Sequence, residues 1–509
     1  MNGAIIGVFL VIIAYLVMML AIGFFYSKGN NDSSDFYLGG RKLGPFVTAM
    51  SAEASDMSSW LLMGLPGVAY LSGTADAAWT AIGLAIGTYV NWLVVAKRLR
   101  NYTHVCGNST TLPLFFSNRY RDNKRILSVI AALLIIIFFV PYTASGFAAC
   151  GKLFANLFGM DYLPAMLISA IVIVAYTTLG GFLAASTTDF VQSIVMTIAI
   201  VVVFGFGISK VGSFSAVMDN AKSMAGYFSL THTHDVATGT ASPYSLLKIF
   251  STLAWGLGYF GMPHVLLRFM AIGDANKLKL SRRVATVWVV ISMAVSVFIG
   301  VIGNAMTKAG VLPTLKDPET IILVVADLIS KHGVLATIIA GLILAGILAA
   351  TMSTADSQLL AASSSASQNI LKEVFMKDMS EKTGMLIARS TVLVIALIGV
   401  FIARNPDSSV FQIVSFAWAG FGASFGPLVL LALFWKRSTF QGALCGMISG
   451  GVMVFVWKFL IRPMGGALGI YELLPAFLLG LAVNVIVSLL TPAPSREVQD
   501  EFDKVASMK

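Results

Sequence analysis

Long apolar runs separated by short polar loops recur along almost the whole chain. A membrane-crossing helix needs roughly 20 mostly apolar residues. About thirteen segments meet that requirement: 3–26, 44–72, 77–96, 126–150, 160–186, 189–209, 245–269, 284–306, 334–356, 384–403, 409–435, 441–461 and 470–491. The pattern predicts an all-α polytopic membrane protein. The first run is too long for a cleaved signal peptide and many more follow it, so it is expected to stay as a span. Segment 211–244 is the longest polar stretch between runs and is rich in Ser, Thr and His over 229–242. Segment 357–373 reads as a helix continuing past the ninth span. None of these polar segments is long enough for a separate soluble domain, so function is expected inside the helix bundle.

Two of the runs are poor membrane helices. The second holds SAEASDMSSW (51–60), with two acids and four hydroxyls near its centre; the seventh holds AWGLGYFGMPH (254–264), with three glycines and a proline. Each opens a block of five spans, 44–209 and 245–435, with 1–43, 210–244 and 436–509 lying outside the blocks. Interrupted segments at matching places in two halves point to a transporter binding site, because unwound backbone in mid-bilayer leaves carbonyls and amides that a ligand or water must satisfy. Small residues such as Ser51, Ala52 and Ala54 also suit a close helix–helix interface. That alternative leaves Glu53 and Asp56 unexplained, since a charge at the centre of a membrane helix costs about 2.5–3.5 kcal/mol on insertion scales.

In the seventh run Trp255, Tyr259 and Pro263 recur every four residues, which on a regular helix lines one face. Such a stripe suits core packing as well as substrate contact. Pro263 cannot donate to the Tyr259 carbonyl, so an acceptor is expected to be free there. In the ninth run Ala350, Ser353 and Thr354 share one helix face, and Ala54, Met57 and Ser58 repeat that spacing in the second. Carbonyls of Ala54, Met57 and Ala350 with hydroxyls of Ser353 and Thr354 would give a hard cation five oxygens. The same hydroxyls could instead bond the carbonyls one turn back on their own helix.

Composition agrees with the span pattern. Hydrophobic residues make up 57% and charged residues only 11%, against about a quarter charged in soluble domains. A water-soluble enzyme, a disordered chain and a fibrous one are thereby excluded. The net charge of +10 comes from 34 Lys+Arg against 24 Asp+Glu, and the basic residues sit in loops, where bilayer orientation explains them better than nucleic acid. Placing the N-terminus outside puts Lys28, Arg41, Lys42, Lys97, Arg98, Arg100, Arg119, Arg121, Lys277, Arg282, Arg283, Lys372, Lys377, Lys436, Arg437, Arg496, Lys504 and Lys509 on the cytoplasmic side. The other side keeps scattered cations such as Lys152, Lys316, Lys331 and Arg462. The C-terminus is then cytoplasmic, and the setting a plasma membrane. The three cysteines, Cys106, Cys150 and Cys445, have no metal-ligand spacing, and the histidines show no H-E-x-x-H pattern. No enzyme activity, organic cofactor or obligate protein partner is expected. A cation channel would need a continuous polar path, whereas the polar residues here gather at two helix breaks.

Several stretches resemble the sodium:solute symporter family, most closely its sodium/proline symporters: residues 36–67 around SAEASDMSSW, GGFLAASTTDFVQ (180–192), WGLGYFGMPH (255–264), LAATMSTADSQLL (348–360) and FWKRSTFQGALCG (434–446). The resemblance implies a five-plus-five inverted-repeat core and sodium-coupled uptake of L-proline. It implies a sodium site at Ala54, Met57, Ala350, Ser353 and Thr354, and a proline site at Ser58, Ser59, Tyr142, Trp255, Tyr259 and Pro263. It also implies that Asp56 serves sodium-dependent transport and that Arg41 and Asp189 influence coupling. The chain departs from the family pattern at Glu53, where a small residue is usual, and at Ser59, which replaces a glycine. Thr187 stands in a tryptophan position and Met262 in a glutamine position. Ser59 and Met262 bear on substrate identity, so another small amino acid or a monocarboxylate remains an alternative cargo.

Overall fold

The computed structural model describes residues 3–27, 33–375, 380–405 and 409–508; Lys28, Lys377 and Lys509 lie outside them. Among the described residues, ten helices are long and apolar enough to cross a membrane. The three remaining expected spans are the ones the structure interrupts. The second runs over 45–72 as helix, π-turn and helix. The fifth runs from Tyr162 to a kink at Gly181 inside the helical stretch Tyr162–Val211, and the seventh is broken over 246–271. The chain is an integral, multi-pass membrane protein.

The outer surface is apolar, unlike that of a soluble protein, around a core that is also largely apolar. Large apolar side chains such as Phe25, Ile171, Phe250, Leu397 and Leu490 are exposed on the outer surface, where lipid would cover them. The interior holds Asp56, Asp189, Arg268 and Asp356 together with many Ser and Thr hydroxyls. The helix Val334–Ser364 lies at the centre, packed against the second span, the fourth (Ile126–Phe158) and the long stretch Tyr162–Val211. Small residues permit these close approaches; a Cβ on Gly346 would lie 2.7 Å from that of Ala199. The segment expected to continue past the ninth span does so, to Ser364 in α-helix and on to Phe375 in a π-helical stretch.

One expectation is corrected. The boundary between the fifth and sixth spans is not at 186–189 but at Gly181 (φ 66°, ψ −173°), a conformation that costs least in a residue without Cβ. Asp189 therefore sits inside the helix that follows, not at its start. The fold is the expected all-α one, and within the loop 211–244 a helix, Phe214–Ser223, precedes a small antiparallel hairpin of His232–Asp235 and Thr240–Pro243. Asp235 closes the turn by accepting amides of Ala237 (2.9 Å) and Thr238 (3.3 Å), with Gly239 at positive φ. The Thr238 and Ala237 amides hold the Asp235 carboxyl below the ordinary aspartate range.

The basic loops meet at one end of the bundle. Arg41 donates to Asn108 and to the Ser109 and Met270 carbonyls, and Arg100 donates to the Ile272 carbonyl at 2.8 Å. Arg121 pairs with Glu497 and Glu501 of the C-terminal helix, Lys436 pairs with Asp503, and Arg98 lies over the Phe434 and Phe502 rings. At the opposite end are the hairpin, the Arg462–Glu472 pair and Lys152, held by Asp317 (2.8 Å) and Glu319 (3.1 Å).

Candidate functional site

The second span breaks at Ser58, a non-glycine residue at φ 49°, where an L-residue is strained. The Ser58 hydroxyl accepts the Trp60 amide at 3.1 Å, and the same amide turns back to the carbonyls of Met57 and Ser58. The chain re-enters a helix through the π-turn Trp60–Gly64, with Pro66 pre-set for the first turn of Leu65–Ser72. Ser296 of the eighth span donates to the Leu61 carbonyl within that turn.

The seventh span breaks as expected between Leu246–Leu253 and Pro263–Ala271, with a 3₁₀ stretch Ala254–Phe260 between them. Two details differ from the sequence reading. The Tyr259 carbonyl is not open, because Asn91 Nδ2 donates to it at 3.1 Å, and Trp418 Nε1 takes the Trp255 carbonyl at 2.7 Å. Residues four apart also do not share a face here. Three residues per turn rotates an i, i+4 pair by about 120°, so Tyr259 turns to Asp56 while Trp255 turns toward Tyr471. Glycine serves close packing at Gly258, where a Cβ would meet Trp418 Nε1 at 2.0 Å.

Asp56 joins these parts. Its Oδ2 accepts the Tyr259 phenol at 2.5 Å, and its main-chain carbonyl accepts the Tyr142 phenol at 3.1 Å. Ser59 lies beside it, 1% exposed, with its hydroxyl lacking a partner among the described residues, as does Asp56 Oδ1. Four of the six expected substrate residues, Ser58, Ser59, Tyr142 and Tyr259, therefore gather around Asp56. Trp255 lies apart, stacked on Tyr471 (5.1 Å, 23°) and 5.5 Å from Trp60. Pro263 is buried as the first residue of its helix.

The expected cation ligands also meet across two helices. Ser353 Oγ donates to the Ala54 carbonyl at 2.8 Å and lies 3.2 Å from the Ala350 carbonyl, to which Thr354 Oγ1 donates at 3.1 Å. The Ala350 contacts are the local back-bonds weighed above. The Ser353–Ala54 bond is not local, and it brings a hydroxyl of the ninth span and a carbonyl of the second close enough to share one cation. Met57 belongs to the same stretch, its carbonyl turned to the Trp60 amide at the break.

A buried ionic network beside this set was missed from sequence. Arg268 donates to Ser51 (3.0 Å), to the His264 carbonyl (3.0 Å), to Asp189 (3.1 Å) and to Ser357 (2.6 Å). Ser51 also donates to Asp189 at 2.6 Å, and Asp356 accepts from Ser357. The available signal was an arginine inside the apolar stretch HVLLRFM, which is functional or paired by default in a membrane helix. Arg41, expected with Asp189, is not in this network; it clamps the end of Pro263–Ala271 at the basic end.

The sodium:solute symporter family model matches residues 36–450. The chain belongs to the sodium:solute symporter family. Its relatives in that family include the osmoregulated proline transporter OpuE of Bacillus subtilis, 41% identical over 95% of this chain and 94% of the relative. The sodium/proline symporter of Staphylococcus aureus is 40% identical over 98% and 95%. Among solved structures, a substrate-bound, outward-open Na+-coupled sialic acid symporter superposes with TM-score 0.78 at 18% identity over 96% of this chain and 99% of that one. A nucleobase-cation-symport-1 family transporter in a closed conformation gives 0.55 at 14% over 92% and 98%. At these identities the superpositions establish a shared fold.

In this symporter-family chain a vestibule of about 500 Å³ opens at the hairpin end and reaches Trp255, Phe411 and Tyr471. Its wall carries both charge signs, with Lys248 and Arg462 opposite Asp76 and Asp235. Beneath that aromatic floor, Asp56 and Ser59 are buried. Of the departures from the family pattern, Met262 is fully buried at the N-terminus of Pro263–Ala271, and Thr187 bonds its own helix at the Leu183 carbonyl (2.8 Å).

Proposed function

We propose that this chain couples inward movement of sodium to uptake of L-proline by alternating access. The observation that carries the reading is the Ser353–Ala54 contact, which sets sodium-type oxygens of the ninth span against the helix break that presents Asp56, Ser58 and Ser59. The names of the 40–41% identical relatives support proline as cargo. Sodium binds Ala54, Met57, Ala350, Ser353 and Thr354. Proline binds at Ser58, Ser59, Tyr142, Trp255, Tyr259 and Pro263, with Trp255 covering the apolar ring from the vestibule side. Because both sites share the broken second span, each ligand tightens the other by linkage. Asp56 joins the sites, while Asp189 through Arg268 and Arg41 through Met270 hold the basic end shut until loading is complete.

The repeats are 44–209 and 245–435, flanked by 1–43, the loop 210–244 and the peripheral 436–509. The basic end faces the cytoplasm, with the N-terminus outside, in the plasma membrane. One sodium is sufficient as driving ion. A 100 mV potential supplies about 2.3 kcal/mol per charge and a tenfold gradient about 1.4 kcal/mol, together roughly 500-fold accumulation of a neutral zwitterion.

Uptake of labelled proline into proteoliposomes is expected only with an inward sodium gradient, and equal uptake without one rejects the coupling. Counterflow exchange separates a carrier from a channel. A competition panel separates proline from other small amino acids and monocarboxylates, a choice on which Ser59 and Met262 bear. Trp255→Ala is expected to raise the half-saturating proline concentration about tenfold, the loss of roughly 1.4 kcal/mol of ring contact, with sodium dependence retained.

A further inference from the structure

We infer that a groove between the sixth and eighth spans holds one anionic phospholipid, with its phosphate on Arg283 and one acyl chain against Met50 of the second span. The groove has a volume of about 510 Å³. One wall is the helix Leu278–Lys308, which presents Arg283, Val287 and Ile291 at four-residue spacing; the other presents Thr197 and Val201 of the sixth span in the same way. From Arg283 to Ile291 the stripe runs about 12 Å along the helix. Its rim is open, with Val201, Val287 and Ile291 more than half exposed. Its floor is not: Met50 is 8% exposed, Ser292 2% and Ile200 1%. The groove therefore admits a chain between the spans, deeper than lipid lying along their outer surface.

All but one of the polar groups lining the groove are already partnered. Trp288 Nε1 donates to Thr197 Oγ1 at 2.9 Å, that hydroxyl donates to the Ser193 carbonyl at 2.7 Å, and Ser292 donates to the Val289 carbonyl at 3.2 Å. An apolar cavity with no free polar group stays dry, so hydrocarbon suits this floor. The exception is Arg283 at the basic end, which has no hydrogen bond or ion pair among the described residues. Lys277, Lys279 and Arg282 lie beside it in the chain, and no acid lines the groove. Asp274, the acid nearest in sequence, accepts the Asn276 amide at 2.9 Å. Unopposed cations at a membrane surface favour anionic headgroups, and a guanidinium binds phosphate through paired charge-assisted hydrogen bonds. A smaller apolar cavity bounded by the first, fourth, fifth and ninth spans, about 190 Å³, has no charged residue on its lining and offers a headgroup no partner. Met50 adjoins Ser51, which bonds Asp189 and Arg268, and lies one turn before Ala54. A chain seated on Met50 thus braces the helix that leads to the break at Ser58.

Native mass spectrometry of the purified full chain, supplied with phosphatidylglycerol and phosphatidylcholine together, is expected to show one phosphatidylglycerol retained per protein. Arg283→Ala is expected to lower that retention about fivefold, equivalent to roughly 1 kcal/mol for one interfacial cation, and Arg283→Lys to keep most of it. Val287→Trp, which fills the groove from its exposed rim, is expected to displace the lipid. Trp288 lines the groove, so phosphatidylglycerol brominated on its acyl chains, at low mole fraction in phosphatidylcholine vesicles, is expected to quench its fluorescence. That part of the quenching is expected to vanish in Trp288→Phe. Equal retention of both lipids, retention unchanged in Arg283→Ala and Val287→Trp, or quenching unchanged in Trp288→Phe overturns the proposal. A dimer that Val287→Trp dissociates also overturns it, because the groove would then be an interface between two copies of the chain. None of these readouts involves sodium or proline, so their failure is distinct from a failure of the uptake experiment.

Discussion

Arg268→Ala is expected to destabilise the protein by about 3–5 kcal/mol, the cost of leaving one partner of a buried ion pair uncompensated. The guanidinium is 1% exposed and its Asp189 partner 0%. The same group bonds Ser51 of the second span and Ser357 of the ninth, and lies over the Phe182 ring at 5.0 Å. One substitution therefore removes a donor from groups on three neighbouring helices. Thermal unfolding of detergent-solubilised protein, followed by tryptophan fluorescence, measures the loss. Removing both charges in an Arg268→Met, Asp189→Leu double variant is expected to recover part of it, because apolar replacements of a buried pair are often tolerated. Equal losses in the single and double variants would show that the pair itself contributes nothing.

The second large effect is expected at the ninth span. Thr354→Ala and Ser353→Ala should each raise the half-saturating sodium concentration about tenfold, equivalent to roughly 1.4 kcal/mol per lost oxygen ligand, with near-normal uptake at saturating sodium. The two hydroxyls act on different partners in the structure. Among the described residues Thr354 bonds within its own helix, whereas Ser353 also reaches the Ala54 carbonyl of the second span. Loss of the Ser353 hydroxyl is therefore expected to weaken the coupling of sodium to proline affinity more than loss of the Thr354 hydroxyl. Initial uptake rates measured against sodium concentration in proteoliposomes decide it. An unchanged sodium requirement in Thr354→Ala would falsify the placement of that hydroxyl in the ion site.

Hydrophobic run length and the misfit of 51–60 and 254–264 were enough to reveal a membrane bundle with two broken helices. Both are local properties: a span must satisfy its own backbone, and a stretch with acids or with glycine and proline cannot do so as a plain helix. Asp56 was legible for the same reason, since a lone charge in an apolar run is costly wherever the run ends up. What the chain could not disclose is which groups answer one another across helices. Asn91 and Trp418 take the carbonyls that the Gly- and Pro-rich turn leaves open, and Trp92 takes one oxygen of Glu53. Arg268 finds Asp189 from 79 residues away. These pairings depend on helix rotation and depth, and the 3₁₀ turn at Ala254–Phe260 and the left-handed residue at Gly181 reset both. Spacing along the sequence identified the residues that needed partners, and only the packed bundle decided which of them found one and which were left open to a ligand.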